Sequence, residues 1–369
     1  MQLMLVSNWS LMDVSLASPD PAILPDWQDL SRRALVPSGY NAPELLLPAL
    51  MRHERAKLAT VRDSEGLQLA LPLVACRSPL SFKASLSTPI SFYGLPHLGP
   101  YSAVPALTAL LRHLNEPVLL HSVPMDGVLW DVIRVSSARL TVINSWERAV
   151  VRPQGSYAGW YEANFDRKRR KEQRRLHSRL AEKGKLEAQN FAAGDDTAGW
   201  VDDFLDLEAK GWKGKRGTAL KADPSAVAAL HEAMRGLAGS GKLRFWKLAL
   251  DGRPIAMMFG VADSGQAWLG KIAYDEDFAR FSPGVQLILQ ATETLFAEGI
   301  TLADSCAIPD HPMINHLWRG RLRVADVMIA GPGVSRAMFN LTVEAERLRR
   351  RLRSSARGLY YRITGRKPS

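Results

Sequence analysis

The chain has 369 residues, 46% of them apolar, and 48 basic against 37 acidic side chains give a net charge of +11. That length suits two domains better than one small module, and the apolar share excludes wholesale disorder. Residues 166–185 hold ten basic and three acidic side chains and residues 331–369 hold ten and two, so the other 310 residues sum to −4, which excludes a uniformly basic coat but leaves room for local anion-binding surfaces.

The opening residues 1–19 are apolar but lack a basic n-region and are interrupted by Asn8 and Asp13, so they make a poor signal peptide. Residues 58–62 and 67–75 flank Asp63-Ser64-Glu65-Gly66 and predict a hairpin. A candidate third strand covers 83–94, a helix 105–114, and a closing strand 118–123. No apolar run reaches the roughly 20 residues of a spanning helix. The two cysteines, Cys76 and Cys306, lie 230 residues apart and form no metal or disulfide pattern. Reduced thiols in a cytoplasmic protein are expected, with any membrane contact peripheral.

Residues 165–184 form a helix by propensity, with only Phe165, Leu176 and Leu180 on its apolar stripe. A second helix spans 197–212. Segments 242–250, 253–262 and 266–274 are separated by Asp251-Gly252 and Asp263-Ser264-Gly265, which predicts a three-stranded antiparallel meander. Ser282 reads as a helix N-cap, Pro283 as the first helical residue, and Gly299 as the C-terminal stop. Residues 300–306 read as a buried strand. The order strand, strand, strand, helix, strand thus occurs twice, which suggests duplication of one α/β unit with a boundary near residues 153–159. Residues 335–362 predict a basic amphipathic helix with Leu341, Ala345, Leu348 and Leu352 along one side.

Residues 207–220, LEAKGWKGKRGTAL, read with the polybasic helix before them and the helix start at Phe281-Ser282-Pro283-Gly284 after them, carry a family resemblance. From about Phe165 to Asp326 the chain resembles the GNAT acyltransferase superfamily, and within it bacterial CelD-like proteins related to the FemABX aminoacyltransferases. The resemblance implies an α/β (α+β) fold of two tandem GNAT-like units, each a mixed, largely antiparallel sheet flanked by helices, followed by a C-terminal basic helix. The implied division is a degenerate unit over 1–155, a catalytic unit over 156–330 and a basic tail over 331–369. It also implies acyl-CoA or acetyl-CoA as co-substrate. The thioester would lie between the fourth and fifth strands, and the pyrophosphate at the N-terminus of the intervening helix. Ser282, Gly284, Val285 and Gln286, with Lys271, are the implied cofactor-binding positions. The usual Gln/Arg-x-x-Gly-x-Gly/Ala turn is here Arg280-Phe281-Ser282-Pro283-Gly284-Val285, in which Pro283 removes one N–H donor.

Asp304, Asp310, His311, His316 and Trp318 crowd into 15 residues after the fifth strand of that unit. Transfer to an amine or hydroxyl needs a base, and histidine titrates near neutrality. His311, Asp304 and His316 are therefore the expected catalytic residues. Glu208, Lys210, Trp212, Lys213, Trp318 and Arg319 are expected to line the acceptor or the CoA 3′-phosphate. This segment holds no tyrosine to protonate the leaving thiolate, and Cys306 stays open as a nucleophile. No metal is expected, because His311 and His316 stand at i, i+5 and would not share a helix face.

The function expected is acyl-CoA-dependent N- or O-acyl transfer, directly from donor to a cell-envelope acceptor. That acceptor is an amino sugar or exopolysaccharide precursor, or a long-chain amine of a sphingolipid-like pathway. One alternative is a non-catalytic GNAT-like binder of a cyclic dinucleotide or of an anionic membrane. Another is a FemABX-type, tRNA-dependent aminoacyltransferase. The polybasic helix could be a solvated face, a grip on an anionic acceptor or on CoA phosphates, or a nucleic-acid contact. Its lack of interleaved aromatics argues against base stacking. The helix over 335–363 could pack on the domain, lie on an anionic membrane, or bind a phosphorylated regulator.

Overall fold

A computed structural model describes residues 12–76, 80–88, 91, 93–211, 214, 217–309 and 311–364. The segment 1–11, Trp212, Lys213 and Asp310 lie outside the described residues.

The first half contains β1 (Asp13–Ala17), α1 (Leu24–Arg32), α2 (Pro43–Met51), β2 (Ala56–Asp63), β3 (Gly66–Cys76), β4 (Phe82–Ser85), β5 (His97–Leu98), α3 (Ala103–Leu114), β6 (Val118–Pro124), α4 (Val128–Ser136) and β7 (Arg139–Val151). The second contains α5 (Tyr157–Asn164), α6 (Arg167–Ala181), β8 (Leu186–Asn190), α7 (Thr197–Lys210), α8 (Pro224–Gly239), β9 (Leu243–Leu250), β10 (Arg253–Asp263), β11 (Gln266–Tyr274), α9 (Pro283–Ala297), β12 (Leu302–Asp304), α10 (Ile314–Leu317), β13 (Gly320–Ala330) and α11 (Arg336–Thr364).

Local chemistry accounts for many of these elements. The meander β9-β10-β11 turns at Asp251-Gly252 and Ser264-Gly265, where all four residues have positive φ, as tight hairpin turns with matching twist require. Helix α6 is capped by Asp166, whose carboxylate accepts from the Arg169 N–H at 2.7 Å, and it buries only Leu176 and Leu180. Ser282 does not cap α9 with its side chain as expected; it occupies the N-cap position in the left-handed region, with φ 53°. The strand expected over 83–94 is confined to β4. Past it the chain leaves the sheet, and Gly94 returns so close to Ser85 that a Cβ would lie 1.8 Å from the Ser85 hydroxyl.

Among the described residues one mixed, 13-stranded sheet runs β1-β2-β3-β4-β6-β13-β7-β12-β11-β10-β9-β8, with β5 beside β3. The order is symmetric about the central β13–β7 pair. Among the described residues only β4–β6 and β11–β12 pair in parallel, and they occupy equivalent places on either side. The last strand of each half crosses to the other. β7 pairs with β12, β13 pairs with β6, and the two pair with each other from Gly320↔Val150 to Ala330↔Arg139.

The largest core cluster is shared by both halves: Leu71, Leu107 and Tyr93 pack in it with Phe204, Phe245, Phe259 and Trp268. Helix α11 packs through Phe339 and Val343 onto Phe82, Leu119 and Met328. Its Leu341, Leu348 and Leu352 lie on a different side and are 60%, 55% and 61% exposed. Among the described residues no helix is long and apolar enough to cross a membrane.

Candidate active site

Strands β11 and β12 pair only as far as Trp268↔Asp304, after which β12 ends and β11 continues to Tyr274. Asp304 therefore stands where the two strands part, and it is 1% exposed. Its Oδ1 accepts the Cys306 N–H at 2.7 Å, and its Oδ2 accepts the hydroxyl of Tyr93, a residue of the first half. Arg148, from β7 and likewise buried, lies 3.9 Å from Asp304 Oδ2 and 4.8 Å from the Tyr93 ring centroid. Its Nη2 donates to Ser122 Oγ at 2.7 Å. The Ser122 N–H donates to Asp326 Oδ1 at 3.0 Å, and Asp326 Oδ2 accepts from Arg350 of α11 at 2.6 Å. Three hydrogen bonds and one ion-pair contact at 3.9 Å thus link α11 to Asp304 across the central strands β13, β6, β7 and β12.

Electrostatics separate the roles of these groups. Burial, reinforced by the Asp304 carboxylate, holds the Tyr93 phenol well above its ordinary pKa, so the hydroxyl keeps its proton. Burial and Asp304 do the same to Cys306. The thiol is buried and held above its ordinary pKa, the environment of an inert rather than a nucleophilic cysteine.

Backbone strain marks the same region. Among the described residues six non-glycine residues have positive φ. Asn115 ends α3, and Asp251 and Ser264 sit in hairpin turns. The other three, Ser122, Ser282 and Cys306, flank the polar chain or the start of α9. Strained backbone of this kind concentrates at functional sites.

A cavity of about 190 Å³ opens on Tyr93 and Asp304. Its walls are mainly apolar, with Val36, Leu95, Leu129, Trp268, Leu302 and Leu322 among them. A carboxylate and a phenol thus lie against an apolar space, an arrangement suited to holding a hydrocarbon chain next to a polar reacting centre.

The start of α9 forms a second cluster. The N–H groups of Val285 and Gln286 both donate to the Ser282 carbonyl, at 3.0 and 3.2 Å, and Pro283 has none. Among the described residues this leaves the Gly284 N–H for an anion, a weaker cradle than an ordinary helix start. Gly284 is close-packed: a Cβ there would lie 3.3 Å from Met313 Sδ and 3.5 Å from Tyr274. Two residues before Met313, His311 accepts at Nδ1 from the N–H groups of Met313 and Ile314, at 3.3 and 3.4 Å, and burial lowers its pKa. Gln286 Oε1 lies 2.9 Å from His177 Nδ1, tying α9 to the basic helix α6. On α6, Arg167, Lys168, Lys171, Arg174 and Arg179 are exposed and make no ion pair among the described residues.

Other expected residues are committed elsewhere. Glu208, almost fully buried, pairs with Lys271 at 3.2 Å and accepts the Leu220 N–H at 2.8 Å. Lys210 pairs with Asp275 at 2.6 Å. Trp318 is wholly buried in the core of the second half and donates to Thr292 Oγ1 at 3.0 Å, so it does not face an acceptor as expected. His316 and Arg319 are exposed. The structure thus gathers Ser282, Gly284, Val285, Gln286 and His311 at one place and Glu208 with Lys271 at another. Asp304 joins Tyr93 and Arg148, which sequence reading missed. Arg148 carried one signal, a charge directly before the apolar run Ala149-Val150-Val151; Tyr93 carried none.

Residues 167–311 match the model of a family described as the acetyltransferase (GNAT) domain. The match takes in α6, the α9 start and Asp304, but not Tyr93 or Arg148. No curated protein matches the chain. Among solved structures, FemX is 11% identical with a TM-score of 0.57, over 87% of this chain and 98% of its own. The C-terminal domain of a candidate lysylphosphatidylglycerol synthetase from Agrobacterium fabrum is 11% identical with a TM-score of 0.55, over 88% and 95%. L-PGS from Bacillus licheniformis is 11% identical with a TM-score of 0.51, over 89% and 98%. At such identities the likeness is one of fold, and it extends over both halves.

Proposed function

We propose that the protein is an acyl-CoA-dependent N- or O-acyltransferase in which transfer is direct and occurs at the Asp304–Tyr93 pair. The observation that carries this is the hydrogen bond between a buried carboxylate and a proton-retaining phenol, placed where β11 and β12 part and facing an apolar cavity. The acceptor nitrogen or oxygen attacks the thioester carbonyl carbon, and its proton passes to Asp304. As the C–S bond breaks, the Tyr93 hydroxyl protonates the departing thiolate. Asp304 then returns its proton to Tyr93 through the existing hydrogen bond, and both groups end as they began. Arg148 lies beside the carboxylate at 3.9 Å and fixes its place, the α9 start with Arg174 and its neighbours receives the CoA phosphates, and His311 shapes the loop against Gly284. The largely apolar wall favours an acyl chain or a long-chain amine of the envelope, with Ser38, Asp126, Arg152 and Gln266 as the polar groups at the cavity that could meet its head.

The test is a thiol-release assay with acetyl-CoA and long-chain acyl-CoA against a panel of lipid amines and amino sugars. Asp304→Asn should reduce kcat by about two to four orders of magnitude, and Tyr93→Phe by about ten- to a hundredfold. Long-chain acyl-CoA should raise the melting temperature more than acetyl-CoA does. Full activity in both variants, or no stabilisation by any acyl-CoA, overturns the assignment. A second reading, transfer from aminoacyl-tRNA, is favoured by the exposed cations of α6. Salt-dependent tRNA binding that acyl-CoA fails to displace would support it instead.

A further inference from the structure

We infer that α11 is a docking surface for an anionic membrane, with its leucine stripe as the inserting edge. Met338, Leu341, Ala345, Leu348 and Leu352 recur at spacings of three and four and so share one side of the helix. Four of them are large, and those four are 47–61% exposed.

The exposure does not come from a helix left loose. A separate side of α11 is already satisfied: Phe339 and Val343 are buried in a core cluster, and Arg350 is paired with Asp326 and with the buried Glu346, both at 2.6 Å. The helix is held in place while it keeps a second apolar side open. Arg336, Arg351 and Arg353 are exposed and make no ion pair among the described residues, and Arg347 pairs with Glu344 and donates to the Val142 carbonyl at 3.3 Å. The segment from 331 onward carries ten basic and two acidic residues.

Charge selects the occupant. A second copy meeting this face would set arginines against arginines, whereas an anionic lipid surface neutralises them. Arginine stems can also lie along the apolar edge while their heads reach the phosphates. The polar chain Arg350–Asp326–Ser122–Arg148–Asp304 begins on the same helix, so docking there would hold the cavity at a fixed orientation to the bilayer.

The test uses the full chain and sedimentation with vesicles of phosphatidylcholine alone or with about one-third phosphatidylglycerol. Binding is expected only to the anionic vesicles and should weaken as salt is raised. The double variant Leu348→Ser, Leu352→Ser should bind about tenfold or more weakly, with an unchanged unfolding midpoint because both side chains are exposed. Arg351→Gln with Arg353→Gln should flatten the salt dependence. Absence of vesicle binding, equal binding by the leucine variant, or a concentration-dependent dimer abolished by the same leucine substitutions would each overturn the inference. None of these readouts involves catalysis, so the outcome is separate from that of the acyltransfer assignment.

Discussion

Among individual residues, His97 shows how burial fixes both a hydrogen bond and a pH response. It is almost wholly buried, and its Nδ1 accepts the Trp27 indole N–H at 2.9 Å. Burial, helped by Lys242, pushes its pKa down to about 4 from 6.5. The unfolded chain takes a proton that the folded chain refuses, so the stabilising effect is complete above pH 6.5 and is lost as pH falls towards 4. Linkage puts the loss at roughly 2 kcal/mol by pH 5. Urea unfolding at pH 7 and pH 5 should show this in the native chain and much less of it in His97→Gln; identical slopes would refute the account. Asp326 behaves in the opposite sense. Burial raises its pKa, but His121 and Arg350 outweigh that and hold it at about 2. Its contribution is present above the unfolded value near 3.8 and is lost as pH falls towards 2, so Asp326→Asn should cost about 2 kcal/mol at pH 7 and little near pH 2. Neither group stood out in the sequence. Asp304 did, because it lies near the end of a predicted strand. Its partner Tyr93 lies 211 residues away, in a Pro-punctuated loop, and they meet only because the sheet closes across both halves.

Elements with local chemistry were the legible ones. Glycines at positive φ announced the two turns of the β9-β10-β11 meander, and the apolar stripe Phe165, Leu176 and Leu180 gave the buried side of α6. What could not be read was which face of an element meets which neighbour. The leucine stripe of α11 was visible, yet the packed side is set by Phe339, Val343 and the Arg350–Asp326 pair, which depend on β13 lying beside β6. For α6 the deciding contact is His177 with Gln286, which lays the basic helix against the start of α9. Arg174 is one turn before His177 and on the same side. In the acyl-CoA reading, Arg174→Gln should raise the donor KM about three- to fivefold, equivalent to a screened interaction of roughly 1 kcal/mol, and leave kcat unchanged. Steady-state kinetics at low and high salt check this, since the difference between native and variant should shrink as salt rises. An unchanged KM at low salt would detach α6 from donor binding.

For the whole molecule, the sheet order is symmetric while the chain that builds it crosses over. The repeated strand, strand, strand, helix, strand order was visible, but pattern alone says that a strand exists, not what it pairs with. Here β7 carries the chain across to β12, and β13 carries it back to β6. Each is followed by a basic helix region, α5–α6 after β7 and α11 after β13, so most of the excess positive charge sits at equivalent places in the two halves. The exchange also binds the halves thermodynamically. Separation at residue 155 would strip β7 from both β12 and β13 and expose Ala149, Val150, Val151, Leu322 and Val324, all now buried. Burial of this kind is worth about 25 cal/mol per Å² of apolar surface, and a domain's whole stability is only about 5–15 kcal/mol, so neither half should survive alone. Full-length protein should unfold in urea as one unit, with far-ultraviolet dichroism and tryptophan fluorescence tracing the same curve. Fragments 1–155 and 156–369 expressed separately should lack fixed near-ultraviolet dichroism and should recover it when refolded together. A cooperative unfolding transition in either isolated fragment would show that the crossed strands join two self-sufficient units and are not essential to either.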